Sequence, residues 1–229
     1  MVIGSGLLAK AFADRFGQPP GTWIYAAGVS NSGCTDPVEF ERERVRLARA
    51  LDEGRGADAF VYFSTCSIGD PAAAASDYVR HKMAMEALVA AHPRHIIARL
   101  PQIAGHTPNP HTLLNFLHAS ISRSERFTVW RNASRNIIDV DDVARIVGRL
   151  VDQPQARAIT VNVANTASTP VPEIVAAMER ALGKPAVADW RETGSAYEID
   201  VSGIAPVIDE LGLRFDGEYL PRIIHKYYR

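Results

Sequence analysis

Tyr78 and Lys82, four residues apart in "DYVRHK", are the pair whose types and spacing best suit proton transfer. On a helix, side chains at this spacing share one face. An ammonium group beside a phenol favours the phenolate, so we expect Lys82 to lower the pKa of Tyr78 toward neutral pH. Tyr78 would then take a proton from a substrate hydroxyl, or return one to a carbonyl, as a hydride moves. The pair predicts acid–base chemistry coupled to hydride transfer.

Three hydroxyl side chains follow the apolar run in "FVYFSTCSIGDP", upstream of the tyrosine: Ser64, Thr65 and Ser67. The carboxyl end of a parallel strand is where an α/β sheet binds its ligands, so one of these hydroxyls could orient a substrate oxygen. A tyrosine and a lysine at this spacing are common on surface helices. The prediction of an active site therefore depends on these hydroxyls and on a glycine turn near the start of the chain.

That turn, in "VIGSGLLAKAF", comprises Gly4, Ser5, Gly6, Leu7 and Leu8 between an apolar strand and a helix. Such a turn lets the backbone and the helix N-terminus approach a pyrophosphate. In dinucleotide-binding proteins a second strand follows and ends in an acidic residue that holds the adenosine ribose. Here the next apolar run comes after only residues 17–22 and ends in Ala26, Ala27 and Gly28, without an acid.

The elements that must position these residues alternate between strand and helix, which predicts a doubly wound parallel α/β sheet. The predicted strands are Met1–Gly4, Thr22–Ala27, Ala57–Ser64, Arg94–Leu100 and Ala158–Val163. We expect a dinucleotide-binding core over residues 1–100 and 132–164, and a small C-terminal substrate lobe over residues 101–131 and 165–229.

A charged stretch, "TDPVEFERERVRLARALDEGRG", separates the second and third predicted strands. Asp36, Pro37 and Glu39 predict the start of a helix. We expect Val45, Ala48 and Leu51 to face the sheet, and the charged residues to form a solvated face without a function.

Composition narrows the possible classes of protein. A net charge of −1 over 229 residues, without a charged block, argues against a nucleic-acid partner. No apolar run approaches the roughly 20 residues that span a bilayer, and no signal peptide is visible, so we expect a cytoplasmic protein. Its two cysteines predict free thiols. His106, His111 and His118 lack a metal-binding spacing, and no metal site is expected.

These motifs together resemble the extended short-chain dehydrogenase/reductase family, in its nucleotide-sugar epimerase, dehydratase and reductase branch. The matching pieces span residues 4 to about 150: "GSGLLA", "IYAAGVSNS", "FVYFSTCSIGDP", "YVRHKMAMEAL", "IIARLPQIAG" and "ASRNIIDVDDVARIV". The resemblance implies NAD or NADP as cofactor, a nucleotide-sugar substrate and a homodimer. It specifies a superfamily and leaves the sugar, the nucleotide and the choice between the cofactors open.

The resemblance also implies a role for each matching position. Thr65, Tyr78 and Lys82 match the catalytic residues, with Ser64 and Ser67 as weaker candidates for the hydroxyl. Arg135 matches an arginine that pairs with the diphosphate of the nucleotide sugar, and Asn109 lies in the substrate-side loop. The positions implied for the cofactor are Gly4, Ser5, Gly6, Leu7, Leu8, Ala26, Ala27, Gly28, Tyr78 and Lys82.

The sequence departs from the family in several places. The glycine turn is one residue tighter than usual, the tyrosine that follows "SIG" is absent, and Ile138 stands where a histidine is common. Because "WIYAAGVSNS" matches the family's fourth strand, the second and third strands and their helix are expected to be missing. The alternative is that Thr22–Ala27 is an ordinary second strand that lacks its acid.

The resulting prediction is an NAD(P)-dependent nucleotide-sugar epimerase or reductase with Tyr78 as general acid and base. A dehydratase is disfavoured because Cys66 and Ser67 do not supply an extra acid–base pair. One alternative is a binding or regulatory module on a degenerate dehydrogenase scaffold. Another keeps the chemistry and completes the adenosine pocket with a partner subunit or a lobe loop. The joint presence of Thr65, Tyr78 and Lys82 favours an enzyme.

Overall fold

The computed structural model describes residues 1–16, 21–153 and 157–229. Its centre is a five-stranded parallel sheet with the order β1-β2-β3-β4-β9. Each of the five predicted strands is confirmed, with ends within two residues of the predicted ones. The strands are β1 Val2–Ile3, β2 Thr22–Tyr25, β3 Ala59–Thr65, β4 His95–Leu100 and β9 Ile159–Asn162.

The strand order decides between the two interpretations of the short opening segment. In a complete doubly wound sheet the second strand lies on the side of the first strand that faces away from the fourth. Here β2 lies between β1 and β3, which is the place of a fourth strand. The sheet ends at β1 within the described ranges, so the prediction of a shortened sheet is confirmed. The alternative of an ordinary second strand is wrong.

The helices lie on both faces of the sheet, as predicted for a doubly wound fold. Phe12 and Phe16 of α1 share a core with Ile24, Val61 and α5. Helices α2 and α3 pack on the opposite face, against Tyr25 and Tyr62. Their bounds are α1 Leu7–Phe16, α2 Pro37–Glu53, α3 Asp77–Ala90 and α5 Val140–Asp152.

The connection from β1 through α1 to β2 has an unusual hand. The steps β1 to β2, β2 to β3 and β3 to β4 all run in the same direction across the sheet. Helix α1 nevertheless lies on the face opposite to α2 and α3. The first connection therefore has the opposite hand to the next two, although about 98% of such crossovers share one hand. Removing strands between α1 and β2 explains this, because α1 keeps the face it has when the second strand lies beyond β1.

Helix α2 begins as predicted but turns a different face to the sheet. The Asp36 carboxylate accepts a hydrogen bond from the Val38 amide, and Pro37 occupies the first turn. The buried positions are Glu43, Leu47 and Ala50. The prediction that Val45 and Ala48 face the sheet is wrong, since both are exposed. Leu51 does pack against the core.

The remaining elements build a second hydrophobic core, centred on Leu117, Ile121, Ile174, Met178 and Ile223. Short strands pair in three two-stranded ribbons, β5 with β8, β6 with β11 and β7 with β10. Helix α7 belongs to the C-terminal part of the chain, yet it packs against the core of the main sheet. The elements are β5 Gln102–Ala104, α4 Leu113–Arg123, β6 Phe127–Trp130, β7 Ser134–Arg135, β8 Ile137–Asp139, β10 Thr169–Pro170, α6 Val171–Leu182, β11 Ala188–Arg191, α7 Ala205–Glu210 and α8 Tyr219–Tyr228.

Candidate active site

Strand β3 and helix α3 bring Thr65 and Tyr78 together. Thr65 is the last residue of β3, and its hydroxyl accepts a hydrogen bond from the Ser67 amide at 3.1 Å. Tyr78 lies in the first turn of α3, where the Ser76 side chain caps the helix. The Tyr78 phenol lies close enough to the Thr65 hydroxyl for Thr65 to lower the pKa of Tyr78. A hydroxyl and a phenol therefore meet at the carboxyl edge of the sheet, both buried.

The ionisation of Tyr78 differs from the expectation. The pKa of Tyr78 is raised to about 12, chiefly by burial; the Thr65 hydroxyl lowers it and the Glu43 carboxylate raises it. Lys82 lies on the same helix, but its ammonium nitrogen is 5.9 Å from the centroid of the Tyr78 ring. The expectation that Lys82 lowers the pKa of Tyr78 toward neutrality is wrong for this structure. Tyr78 is a neutral phenol at neutral pH.

The partner of Lys82 is Glu43, a residue that the sequence analysis placed on a solvated face. The Lys82 ammonium donates to Glu43 Oε1 at 3.0 Å and to the Tyr62 hydroxyl at 3.1 Å. Burial disfavours ionisation of Glu43, but Lys82, the Val29 amide, Tyr62 and His81 outweigh it and hold the pKa of Glu43 below its usual value. Burial lowers the pKa of Lys82, and Glu43 opposes that effect. We conclude that the two side chains form a buried ion pair.

Gly28 makes room for this ion pair. A Cβ atom at position 28 would lie 2.7 Å from both Glu43 Oε1 and Lys82 Nζ. The end of β2 therefore approaches the pair directly, which a larger residue would prevent. Ala27 packs against the same core as α2 and α3, and Ala26 packs against the core on the other face.

The glycine turn lies at the same edge of the sheet. Gly4 has a φ of +135°, and a Cβ there would collide with the carbonyl oxygen of Ala26. Gly6 has no atom within 4 Å of the position its Cβ would occupy, and Ser5 and Gly6 are exposed. The turn is thus packed closely on the β2 side and open at Gly6.

The two residues after the turn pack inward. A Cβ on Gly105 would lie 2.7 Å from Leu7 Cδ1, so the Leu7 side chain sits against the loop after β5. Leu8 packs against the core beneath the sheet. What these residues offer at the turn is their backbone, at the N-terminus of α1.

The two residues predicted to bind substrate make hydrogen bonds within their own segments of the chain. Asn109 uses its side-chain oxygen to accept from the His111 amide at 2.9 Å, and Arg135 donates to the Ser134 carbonyl at 2.8 Å. Burial is the main cause that raises the pKa of Tyr197, to about 12, while Ser67 and Arg135, both near its phenol, lower it. Tyr197 therefore links the neighbourhood of Arg135 to the loop that follows Thr65.

Sequence reasoning missed four residues of this region: Glu43, Tyr62, His81 and Tyr197. The His81 ring stacks on Phe40 at a centroid distance of 4.5 Å, and its side chain is buried. A signal for Glu43 was present, since it lies four and seven residues before Leu47 and Ala50 and so shares their helix face. Tyr197 follows no pattern that would single it out.

Over residues 1–16, 21–153 and 157–229, no group of three or more histidine, cysteine or acidic side chains could hold a metal ion. Over the same residues, no helix is long and apolar enough to span a membrane.

Solved structures of similar fold include UDP-glucuronic acid 4-epimerase from Bacillus cereus in complex with UDP-glucuronic acid and NAD. It is 15% identical, the match covers 94% of this chain and 78% of that one, and the TM-score is 0.71. RMD from Pseudomonas aeruginosa, complexed with NADPH, is 19% identical over 93% of this chain and 83% of that one, with a TM-score of 0.68. The dTDP-glucose 4,6-dehydratase from Bacillus anthracis in complex with NAD is 14% identical over 88% and 70%, with a TM-score of 0.66. At these identities the likeness establishes the fold.

Sequence comparison places the chain in a family. No curated protein matches it. The model of the NAD dependent epimerase/dehydratase family matches residues 7–164, a segment that contains Thr65, Tyr78 and Lys82. This confirms the resemblance drawn from the sequence motifs. The match covers more than half of the 229 residues, and the chain belongs to the NAD dependent epimerase/dehydratase family.

Proposed function

We propose that this protein is an NAD(P)-dependent nucleotide-sugar epimerase or reductase. Tyr78 is the general acid and base, Thr65 orients the reacting oxygen, and Lys82 completes the site. If the enzyme oxidises a sugar hydroxyl and returns the hydride without stereospecificity, the reaction is an epimerisation. If a ketosugar is the substrate and the cofactor is free to exchange, the reaction is a simple reduction.

The observation that carries this proposal is that the Thr65 hydroxyl and the Tyr78 phenol, both buried, meet at the carboxyl edge of β3, close enough for Thr65 to affect the pKa of Tyr78. A substrate hydroxyl that contacts both groups would be oriented by Thr65 and would exchange its proton with Tyr78. Family membership supports the same reaction class. The similar solved structures that hold UDP-glucuronic acid and NAD, or NADPH, support a nucleotide-sugar substrate and a nicotinamide cofactor.

The residues of the glycine turn suit the pyrophosphate of a dinucleotide cofactor. Gly6 is open where a phosphate group would approach, and the first turn of α1 begins at Leu7. A helix N-terminus with an accessible backbone suits a pyrophosphate. When bound, the cofactor supplies or accepts the hydride. The adenosine half has less support, because β1 is the edge of the sheet and β2 ends without an acid.

The weak support for an adenosine pocket at the β1 edge of the sheet is the one observation that favours a non-catalytic binding protein. A scaffold without an adenosine pocket could bind a nucleotide sugar and do no chemistry. A buried phenol, hydroxyl and ammonium group at one edge have no structural need for each other, which favours the enzyme.

A turnover assay distinguishes the enzyme from the non-catalytic binding module. The purified protein is given UDP- and dTDP-sugars and their keto forms, with NADH or NADPH and with the oxidised cofactors, and products are followed by chromatography. We expect turnover with at least one pair, and a loss of about 10²–10⁴-fold in Tyr78→Phe. Tyr228→Phe, in the C-terminal helix, is the matched control and should keep full activity. Turnover that survives Tyr78→Phe would remove Tyr78 from the mechanism.

The homodimer and the cytoplasmic location remain predictions. Support for a dimer comes from apolar side chains that α2 and α3 expose: Val38, Val45, Met83 and Leu88. Exposed apolar surface on adjacent helices is typical of a protein–protein interface.

A further inference from the structure

The carboxyl ends of β1 and β2 border a crevice from which the chain leaves in opposite directions. From β1 it passes into α1 on one face of the sheet, and from β2 into α2 on the other face. In an open α/β sheet, a crevice of this kind is where a dinucleotide binds. The removal of strands between α1 and β2 has therefore preserved the crevice of a complete fold.

The floor of this crevice suits the pyrophosphate at the centre of a dinucleotide. Gly4 packs so closely on the end of β2 that a Cβ atom there would collide with the Ala26 carbonyl oxygen. Gly6 is open, and α1 begins at Leu7. A helix N-terminus with an accessible backbone binds phosphate groups. The two nucleosides of a dinucleotide would extend from this point to opposite sides of the crevice.

On one side of the crevice the sheet continues through β2, β3 and β4. The groups that we propose for proton transfer, Thr65 and Tyr78, lie at the carboxyl edge on this side, and both are buried. A nicotinamide must reach a substrate that these groups hold. We therefore expect the nicotinamide half of the cofactor over β2 and β3, where it has a sheet edge beneath it and polar side chains beside it.

On the other side of the crevice the sheet ends, since β1 is its last strand over the described residues. In a complete fold, the strand that follows the first helix carries the acid that holds the adenosine ribose. Here only residues 17–20 lie between Phe16 and Gly21, and four residues are too few for two strands and a helix. The adenosine half of the cofactor therefore has no strand beneath it.

The two loops that border the crevice also lack the charges that recognise an adenosine ribose. Residues 4–9 contain no charged side chain, and residues 26–36 contain only Asp36. The Asp36 carboxylate accepts a hydrogen bond from the Val38 amide and caps α2. An acidic residue usually holds the 2′-hydroxyl of NAD, and an arginine the 2′-phosphate of NADP. These loops offer neither group to the ribose, so they do not distinguish NAD from NADP.

We propose that this site binds the nicotinamide, its ribose and the pyrophosphate, and leaves the adenosine in solvent. The inference rests on the proposed function and deepens it, because it names the part of the cofactor that the protein recognises. Such a site binds NADH and NADPH equally well. Reduced nicotinamide mononucleotide is then a sufficient ligand, since it keeps the nicotinamide, the ribose and one of the two phosphates.

The test is a titration of the free protein, followed by the fluorescence of the reduced nicotinamide. The ligands are NADH, NADPH, the NADH analogue with hypoxanthine in place of adenine, and reduced nicotinamide mononucleotide. We expect the three dinucleotides to bind within about threefold of one another. The mononucleotide should bind at most about 100-fold more weakly than NADH, which is the effect of one lost phosphate contact. Adenosine at about millimolar concentration should not displace NADH.

Two variants test which part of the turn is recognised. Gly6→Trp should lose the mononucleotide and the dinucleotides alike, because all of them place a phosphate at the open side of the turn. Lys10 is the basic residue nearest to the turn in the sequence, and it is exposed. Lys10→Ala should leave the ratio of the NADH and NADPH affinities unchanged. A selective loss of NADPH affinity in this variant would overturn the inference, because it would show that the 2′-phosphate is recognised.

A wider spread among the dinucleotides, or a larger loss for the mononucleotide, would overturn the inference and leave the proposed function standing. If none of the four ligands binds, the proposed function fails as well. The titrations are repeated at a protein concentration about 100-fold higher, which favours association of two copies of the chain. A preference for NADH beyond the expected limit that appears only there would also overturn the inference, because a second copy would then complete the adenosine pocket.

Discussion

Tyr78 holds its proton across the neutral range, because burial raises its pKa to about 12. Carbonyl reduction needs Tyr78 as a proton donor. Its rate should therefore be independent of pH from neutral pH until the pH approaches about 12. The reverse direction needs the phenolate, and its rate should rise about tenfold per pH unit below that value. Initial rates in both directions against pH measure this. A rise in the oxidation rate that levels off near neutral pH would contradict the account.

The buried thiol of Cys66 allows a prediction about how the stability of the protein depends on pH. Burial raises the pKa of its thiol from 9.0 to about 12. In the unfolded chain the thiol ionises above about 9, while in the folded protein it stays neutral until about 12. The free energy of unfolding should therefore fall as the pH rises through this window, by up to about 1.4 kcal/mol per unit. Denaturant unfolding at several alkaline pH values measures the slope.

Cys66→Ala should reduce that slope, because it removes the buried thiol. Cys34→Ala is the control, since Cys34 is only partly buried. Equal slopes in the two variants would show that the Cys66 thiol ionises as readily in the folded protein as in the unfolded chain.

At the residue scale, spacing predicted which groups meet but not how they are charged. Four residues of helix and the end of a strand are enough to indicate that Thr65, Tyr78 and Lys82 lie together. The ionisation of Tyr78 also depends on Glu43, which lies 35 residues before it in the chain. Only the three-dimensional packing of α2 against α3 makes Glu43 the partner of Lys82.

The turn from β1 to α1 allows an element-scale test with an internal control. Gly4→Ala should destabilise the protein by at least about 1–3 kcal/mol, because a side chain there has a φ of +135° and meets the Ala26 carbonyl. Gly6→Ala should have little effect on stability, since nothing lies within 4 Å of its Cβ position. Thermal or denaturant unfolding of both variants measures the difference. Equal stabilities would mean that the turn does not pack on β2 as described.

At the element scale, local patterns predicted the strands of the main sheet and the helices well. Apolar runs rich in aromatic or β-branched residues indicated β3 and β4, and Asp36 and Pro37 indicated the start of α2. The ribbons of the lobe escaped prediction because their partners are distant, as where Phe127 of β6 pairs with Ala188 of β11. The face of α2 was misjudged because hydrophobicity alone chose Val45 over Glu43.

The whole molecule is a doubly wound sheet that, over the described residues, stops at β1 and so lacks the second and third strands of the complete fold. Strand order and the hand of the first connection both follow from removing strands between α1 and β2. The sequence indicated this loss through the short segment before Thr22. It did not indicate that α1 would keep its face and so give one connection the unusual hand, which is a property of the complete sheet.

The predicted homodimer is tested at the same scale. Val45→Asp combined with Met83→Glu places charges on the exposed α2–α3 surface and should convert a dimer into a monomer in light scattering after gel filtration. Trp130→Ser changes an exposed aromatic residue of the lobe, where 49% of the side chain is accessible, and should leave the dimer intact. A wild-type monomer at all concentrations would contradict the prediction.

We expect the shortened sheet to hold a nicotinamide cofactor at the Gly4–Gly6 turn. Titration of the protein with NADH and with NADPH, followed by nicotinamide fluorescence, measures this binding. We predict saturable binding of at least one cofactor, lost in Gly6→Trp, whose side chain would fill the open space where the phosphates approach. Circular dichroism confirms that the variant is folded. Absence of binding by both cofactors at about millimolar concentration, or equal binding by Gly6→Trp, would contradict the account.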